Sequence, residues 1–311
     1  MDAQTKRQLE CAGAYSSLRV FLSPRCPLWL IFPHAQARSG QSFIPEIRCS
    51  SKDKFAKKKF GRYQAEFPDK IVRDKLLLFS PGIFMQDQPE LTGRLIAIGD
   101  IHGHAASLTK MLELIRPMPD DTIVTLGDYV NRGPDSCQVL EILTGLDKVC
   151  RYVAILGNHD EMMLACRYDP QAEERWFSKG GDLTLESYGP KAQVADIPEP
   201  HWEFLEACRP IFETEQFIFT HANYCWYSDL SEQPVRLLRW MAIEMEPPRP
   251  HVSGKTVIVA HSPGKIRDLG FCRCIDTGCS IGGVLTAMEV NSRKIWQVTE
   301  SGEPIDIEAH R

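Results

Sequence analysis

Long apolar runs are missing from this sequence of 311 residues. The longest one near the N-terminus, LWLIF at residues 28–32, is closed by Pro33. A transmembrane helix needs about 20 consecutive apolar residues. We therefore predict no membrane-spanning segment and no membrane partner.

A disulfide framework is missing as well. The eleven cysteines are scattered along the chain, and their number is odd. Because no secretory signal is seen either, we expect a reducing compartment and a cytoplasmic protein. The closest pair, Cys272 and Cys274, falls on a predicted strand. Two core thiols are favoured there over a zinc or redox pair, since no second cysteine pair lies nearby.

Two further absences bear on chemistry and partners. The sequence has no Cys-x5-Arg loop and no nucleophile elbow, so it indicates no covalent nucleophile. Residues 85–311 have little positive charge: 21 lysines and arginines face 34 acidic residues, a balance of −13. Nucleic acid, whose backbone is itself negative, is therefore not expected as a partner, and a nuclease is disfavoured.

Residues 1–84 differ from the rest of the chain. They carry 15 basic against 7 acidic residues, a balance of +8, and lack sustained periodicity. We expect a disordered or non-native extension. A non-native extension would mean a true start at Met85, and a targeting peptide is the alternative. Residues 85–311 are predicted to form the folded domain.

Strands and helices alternate regularly from residue 94 onward. The apolar runs RLIAIGD, TIVTLGD and YVAILGN predict buried strands, and apolar residues at helical spacing predict helices over 104–116, 135–146 and from 159 to about 167. This β-α-β-α-β-α order implies parallel strands joined by right-handed crossovers. Residues 168–214, rich in Trp, Glu, Gly and Pro, are predicted to form a helical cap.

Five short strands are predicted in the last third of the chain: FIFTH (217–221), TVIVAH (256–261), FCRCID (271–276), GVLTAMEV (283–290) and KIWQV (294–298). Their close spacing favours an antiparallel second sheet. The predicted fold class is therefore α/β (α+β), a two-sheet β-sandwich flanked by helices.

A polar side chain of a metal-ligand type follows five of these strands. The six residues concerned are Asp100, His102, Asp128, Asn158, His221 and His261. The first three strand ends are 28 and 30 residues apart, one β-α unit each time, so they should meet at one edge of a sheet. Taken singly, each Asp is readily explained as a helix N-cap and each His as a surface residue. Six together indicate a two-metal site.

Mixed oxygen and nitrogen ligands suit manganese, iron or zinc better than calcium or magnesium. We predict two divalent cations, with manganese first and iron or zinc as alternatives. A water shared by two cations has its pKa lowered from about 15.7 towards about 7, and the hydroxide can then attack phosphorus in line. The pattern therefore points to hydrolysis of a phosphoester.

The motifs GDIHGH (99–104), GDYVNRGPDS (127–136) and GNHD (157–160) resemble the signature blocks of the phosphoprotein phosphatase family of calcineurin-like metallophosphoesterases. CIDTGCSIGGVLTAMEV (274–290) resembles the segment after the last metal His of that family, and GGDLTLESYG (180–189) resembles a segment of its bacterial members. The resemblance covers residues 94–298. It implies the calcineurin-like fold.

The resemblance also implies an activity, that of a phosphoric monoester hydrolase. A bacterial-type Ser/Thr protein phosphatase is expected first, with a phosphorylated protein or a small phosphoester as substrate. A symmetrical dinucleoside-polyphosphate hydrolase shares the same motifs and is the alternative. A weakly active or dead relative that serves as a scaffold is a third interpretation.

Roles for individual residues follow from the same resemblance. Two ligand sets are implied, namely Asp100, His102 and Asp128 for one cation, and Asp128, Asn158, His221 and His261 for the other. Arg132 would clamp the substrate phosphate by a bidentate guanidinium contact, assisted by the Asn158 amide. His159 would be the general acid that protonates the leaving alkoxide.

Asn131 departs from the family pattern, because many members have Asp at this place. There the carboxylate orients the catalytic His and stabilises its charged form. Asn is able to accept a hydrogen bond from the imidazole but brings no charge. We therefore place Asn131 among the catalytic residues and predict a less basic His159 with weaker turnover at neutral pH. Arg236 and Arg239, candidates for a second phosphate-binding arginine, stay unassigned.

Overall fold

The structure is a computed structural model that describes residues 91–306. The basic segment 1–84, predicted to be an extension, lies outside the described residues. Within the described part of the chain the strands are β1 (Leu95–Ile98), β2 (Thr122–Thr125), β3 (Arg151–Ala154), β4 (Ile211–Glu213), β5 (Phe217–Thr220), β6 (Thr256–Val259), β7 (Arg267–Asp268), β8 (Cys272–Cys274), β9 (Val284–Glu289) and β10 (Lys294–Thr299).

The α-helices are α1 (Ala105–Ile115), α2 (Ser136–Thr144), α3 (Asn158–Tyr168), α4 (Glu173–Phe177), α5 (Gly181–Glu186), α6 (Glu199–Ala207) and α7 (Val235–Trp240). The helices predicted after the first three strands correspond to α1, α2 and α3. On α1 the predicted apolar face is buried, with Leu108 and Met111 inaccessible to solvent. This is the burial expected of apolar residues three and four positions apart.

The strands form two five-stranded sheets with the orders β10-β9-β1-β2-β3 and β4-β5-β6-β8-β7. The predicted two-sheet architecture with flanking helices is confirmed. In the first sheet β1, β2 and β3 pair in parallel, as the alternation of strands and helices predicted.

The predicted antiparallel second sheet is wrong in two respects. First, β5, β6 and β8 pair in parallel, and the antiparallel strands β4 and β7 lie at the edges. All four residues of β5 are buried, which is typical of a central parallel strand that is covered on both faces. Second, β9 and β10 form a hairpin that joins the first sheet, where β9 pairs antiparallel with β1. Close spacing identified that hairpin but not the sheet to which it belongs.

Alternating residues of β1 contribute to two separate cores. Leu95 and Ala97 belong to a cluster that includes Phe219 and Ile258 of the second sheet, so this cluster lies between the sheets. Ile96 and Ile98 belong to a larger cluster with the buried residues of the helices. The period of two along a strand thus places one helix layer on the first sheet and the second sheet on its other face.

Residues 168–214 are mainly helical, as predicted, and contain α4, α5 and α6. Their last part is not, because Ile211–Glu213 form an edge strand of the second sheet. Cys272 and Cys274 are buried free thiols of β8, which agrees with the core interpretation. No helix within residues 91–306 combines the length and apolar character that crossing a bilayer requires.

Candidate metal centre

The six predicted ligand residues all stand just beyond the carboxyl end of a parallel strand. Asp100 and His102 follow β1, and Asp128 follows β2. Asn158 follows β3, while His221 and His261 follow β5 and β6 of the second sheet. Five of the six are buried, and His261 is half-buried. The edge where the two sheets meet therefore collects ligand side chains from five strands.

The backbone turns sharply at these strand ends. His102, Asp128 and His261 have φ angles of 47°, 54° and 62°, in the left-handed region that non-glycine residues seldom adopt. Glycine allows the loops to approach each other: a Cβ on Gly157 would stand 2.2 Å from Oδ1 of Asp128. Strained residues of this kind gather at functional sites, where surrounding contacts hold them in place.

Two groups of side chains have ligand atoms within 4.8 Å of one another: His102 with Asp128 and His159, and Asp128 with His221 and His261. Asp128 belongs to both groups. Its Oδ2 lies 3.5 Å from Nε2 of His102, and its Oδ1 lies 3.5 Å from Nε2 of His221. The carboxylate thus presents one oxygen to each group, which is the arrangement required of a bridging ligand.

Asp100 and Asn158 extend these two groups. Oδ2 of Asp100 lies 3.9 Å from Nε2 of His102. Oδ1 of Asn158 lies 3.0 Å from Nε2 of His221, and Nδ1 of His261 lies 3.1 Å from the same nitrogen. The structure therefore brings together all six residues that the sequence analysis selected.

The three histidines of the predicted ligand set, His102, His221 and His261, are oriented by backbone carbonyls. Nδ1 of His102 lies 3.0 Å from the carbonyl oxygen of Val130, and Nδ1 of His221 lies 2.7 Å from that of Leu126. Each Nδ1 must donate its proton there, which leaves the Nε2 lone pair directed into the site. His261 forms its backbone hydrogen bond with Trp240. Such partners orient metal-binding histidines in proteins, so this donor set fits divalent cations.

The buried carboxyl groups support the same fit. Burial raises the pKa of Asp128 to about 7 and that of Asp160 to about 8, and it also raises the pKa of Asp100 and Asp276. Burial lowers the pKa of His102 and lowers that of His221 to about 3. Charge is therefore costly at each of these positions in the chain alone. Cations would favour ionised carboxylates and neutral imidazoles, the forms that bind metal.

Asp160, the last residue of GNHD, was not singled out from the sequence. Its carboxylate accepts hydrogen bonds from the backbone N–H groups of Asp128, Tyr129 and Gly157 at 2.7, 2.9 and 3.0 Å. It therefore ties the loop after β2 to the start of α3. Its place directly after His159 in the GNHD motif was the sequence signal that could have identified it.

Asp276 was also missed, although it lies within the CIDTG segment that carries the family resemblance. It is buried and hydrogen-bonded to the side chain of Asp100 and to the backbone N–H of Gly278. Asp100 follows β1 of the first sheet and Asp276 follows β8 of the second, so the packing of one sheet on the other brings the two carboxyl groups together. Spacing along the chain carried no sign of this contact.

Arg132 is an exposed residue whose guanidinium reaches over the site. Nη1 lies 3.2 Å from Nε2 of His102, and Nη2 lies 3.2 Å from Nε2 of His159. Nη1 also donates to Oγ of Ser280. Two adjacent nitrogens of one planar group thus face the ligand cluster, a geometry that matches two oxygens of a phosphate.

Asn131 contacts His159 as predicted, but not in the predicted sense. Nδ2 of Asn131 lies 2.8 Å from Nδ1 of His159, whereas Oδ1 accepts from Nε1 of Trp176 at 2.8 Å and from Oγ1 of Thr184 at 3.0 Å. The expectation that Asn131 accepts a hydrogen bond from the imidazole is wrong. The indole N–H of Trp176 can only donate, so it binds the amide oxygen of Asn131. The amide nitrogen then faces the His159 ring.

Arg239 is buried and bound to Glu161 at 2.6 Å, so its charge is compensated within the fold. It has no contact with the six ligand residues among its hydrogen bonds and ion pairs. This pairing gives no support for Arg239 as a phosphate-binding residue, and Arg239 stays unassigned.

The chain matches the family model described as calcineurin-like phosphoesterase over residues 93–269. It is 30% identical to the serine/threonine-protein phosphatase 1 of Salmonella typhimurium strain LT2, with 62% of this chain and 90% of the relative covered. It is 44% identical to a symmetrical bis(5'-nucleosyl)-tetraphosphatase of Methylococcus capsulatus strain Bath, with 63% of this chain and 91% of the relative covered.

Among solved structures, a crystal structure described as a candidate diadenosine tetraphosphatase superposes with a TM-score of 0.54. The match covers 70% of this chain and 96% of the other, at 23% sequence identity. At that identity the similarity concerns the fold alone.

Proposed function

Because the chain belongs to the calcineurin-like phosphoesterase family, we propose that it hydrolyses phosphomonoesters with two divalent cations, and that its substrates are phosphoserine and phosphothreonine side chains of proteins. One observation carries this proposal. Six ligand-type side chains from five strands meet around a carboxylate whose two oxygens face the two groups.

The proposed ligand roles are those that the family resemblance implies, and the close approach of these side chains supports them. One cation would be held by Asp100, His102 and Asp128, and the other by Asp128, Asn158, His221 and His261. When bound, the cations would supply a water of lowered pKa as the nucleophile and positive charge beside the phosphate. Manganese is the proposed metal, with iron and zinc as alternatives.

The remaining site residues act on the phosphate and the leaving group. Arg132 would hold two phosphate oxygens through Nη1 and Nη2, since both already point at the cluster. The Asn158 amide would add a further contact. His159 lies beside His102, with ring centroids 4.8 Å apart, and would donate its Nε2 proton towards the leaving oxygen.

The charge distribution supports a phosphoprotein over a longer polyphosphate. Residues 85–311 carry a balance of −13. Arg239 is paired with Glu161, and Arg267 is paired with Glu244. Arg132 alone among these three is directed at the cluster, which suits the two negative charges of one phosphomonoester. The Salmonella relative, named a serine/threonine phosphatase, is covered over nine tenths of its length.

The second candidate is symmetrical hydrolysis of dinucleoside tetraphosphates. It is favoured by the higher identity, 44%, to the Methylococcus relative of that name. The deciding experiment compares kcat/KM for a phosphoserine peptide and for diadenosine tetraphosphate under the same conditions with Mn²⁺. Asp128→Asn serves as the control for contaminating hydrolases. A preference for diadenosine tetraphosphate of about tenfold or more would replace the first candidate by the second.

An inactive scaffold stays the alternative from another class. Six polar ligand residues, five of them buried and one half-buried, are costly to retain unless they bind something. The purified chain should therefore contain metal and turn over p-nitrophenyl phosphate with added Mn²⁺. Metal binding without turnover would support the scaffold. The cytoplasmic location and the absence of nucleic-acid partners stay predictions, and DNA binding measured at several salt concentrations tests the latter.

A further inference from the structure

We propose that Trp176 acts through Asn131 to select the tautomer of His159 that carries its proton on Nε2, the nitrogen on the side of Arg132 and the metal centre. The proposed function supplies the role of His159, and this inference names what positions its proton. Trp176 stands on α4, in the helical segment that packs beside the site. It is a positioning residue, because it touches neither substrate nor ligands.

The orientation of the Asn131 amide decides the tautomer. Asn131, Trp176 and Thr184 are each fully buried, so water offers no alternative partner. The indole N–H of Trp176 has no acceptor lone pair and must donate to Oδ1 of Asn131. If the amide were reversed, two buried donors would face each other, and a donor left unsatisfied in a core destabilises the fold.

With the amide in this orientation, Nδ2 of Asn131 donates to Nδ1 of His159 at 2.8 Å. Nδ1 must then be the unprotonated, accepting nitrogen. The proton of a neutral ring therefore sits on Nε2. The carbonyl of an amide in the opposite orientation would have stabilised the other tautomer.

Arg132 makes a competing contact, since its Nη2 lies 3.2 Å from Nε2 of His159. Both contacts cannot be hydrogen bonds to a neutral ring, which has one accepting nitrogen. The Asn131 contact is shorter and fully buried, and three hydrogen bonds with Trp176 and Thr184 hold Asn131 in place. Arg132 is exposed, and its long side chain is free to turn towards a phosphate. The buried contact with Asn131 therefore determines the tautomer of His159.

Thr184 supplies a matched control. Its hydroxyl also contacts Oδ1 of Asn131, at 3.0 Å, but a hydroxyl can donate or accept by rotating. Thr184 therefore tolerates either amide orientation, whereas Trp176 tolerates one. Only the loss of the indole N–H should release the amide.

The first test reads the tautomer directly. Protein with 15N-labelled histidine and bound Mg²⁺, which is diamagnetic, is compared as parent, Trp176→Phe and Thr184→Val, and His159 is assigned by its loss in His159→Gln. The parent and Thr184→Val should show Nε2 protonated and Nδ1 bare. Trp176→Phe should show protonation at Nδ1. A parent ring protonated at Nδ1, or a Trp176→Phe spectrum equal to that of the parent, would overturn the proposal.

The second test separates positioning from packing. Trp176→Phe is made in the parent and in Asn131→Asp, where both carboxylate oxygens accept and no orientation needs to be selected. We expect kcat to fall about tenfold or more in the parent, and about twofold or less in Asn131→Asp. An equal fall in both backgrounds would mean that Trp176 only fills space, and would overturn the proposal. If no variant hydrolyses phosphoesters, the proposed function fails, while the NMR comparison still decides the tautomer.

Discussion

Nδ2 of Asn131 lies 2.8 Å from Nδ1 of His159, so a buried amide donor faces the inner nitrogen of the ring. A protonated His159 would place a second N–H against that donor. Burial, followed by the nearby His102 and Arg132, already lowers the pKa of His159. Asn131 therefore makes the His159 ring weakly basic for two reasons. It lacks the negative charge of an Asp, and its amide N–H opposes a proton on Nδ1.

Replacing Asn131 by Asp should make His159 more basic. A carboxylate accepts from Trp176 and Thr184 with one oxygen and from Nδ1–H of His159 with the other, and its charge favours the imidazolium. The acid form then persists to higher pH. We expect faster turnover at neutral pH and an alkaline limb displaced upward in the pH–rate profile. A profile that overlays that of the parent would show the idea to be wrong.

Replacing Asp128 by Asn should remove most of the activity. The substitution keeps the size of the side chain but leaves one oxygen to serve two groups of ligands. We expect kcat to fall about 100-fold or more, together with a lower metal content per chain. Elemental analysis beside the rate measurement checks both. Full activity with unchanged metal content would contradict the bridging role.

Replacing Arg132 by Lys tests the clamp. Lysine keeps the charge but lacks the planar pair of nitrogens that faces His102 and His159. We expect kcat/KM for p-nitrophenyl phosphate to fall about tenfold or more in Arg132→Lys. In Arg132→Ala, kcat/KM should fall further. Position 132 is exposed, so neither substitution should change the thermal midpoint by much. Equal kcat/KM in the lysine variant and the parent would argue against bidentate binding.

Replacing Asp160 by Ala should destabilise the fold. The change leaves three buried backbone N–H groups without their acceptor, and the free energy of unfolding should fall by about 3 kcal/mol. Asp160→Asn is the matched control. Its single carbonyl oxygen can retain the bonds from Asp128 and Gly157, both of which are made to one oxygen, so the loss should be smaller. Urea unfolding measures both variants, and equal losses would contradict this account.

Metal removal should make stability depend on pH. The pKa of Asp128 is raised to about 7 and that of Asp160 to about 8. Their contribution to the stability of the metal-free chain is present below about pH 4 and is lost as pH rises through 7 and 8. His221, with its pKa lowered to about 3, contributes above about pH 6.5 and loses that contribution as pH falls.

Of these two contributions to stability, only that of Asp128 and Asp160 changes above pH 6.5. The thermal midpoint of the EDTA-treated chain should therefore fall between pH 6.5 and pH 8. Mn²⁺, which favours the ionised carboxylates, should raise the midpoint more at pH 8 than at pH 6.5. Scanning calorimetry with and without Mn²⁺ makes the comparison. A gain that is equal at the two pH values would rule out these carboxyl groups as the cause.

The sequence by itself determined the kinds of elements, the order of the first three strands and the six side chains that gather at the site. These features are written locally. Apolar periodicity shows in a few consecutive residues, and a ligand directly after a strand is carried to the strand end by the backbone. The positions of Asp100, Asp128 and Asn158 in the sequence are therefore enough to predict that they lie close together.

Only the tertiary structure decided which sheet receives the β9–β10 hairpin, that β5, β6 and β8 run parallel, and which way the Asn131 amide points. Each of these depends on contacts between parts of the chain that are far apart in sequence. Trp176 is 45 residues from Asn131, and its donor-only N–H sets the hydrogen bond that His159 receives. An amide carries a donor and an acceptor of nearly equal size, so its orientation is determined by its neighbours rather than by its own chemistry.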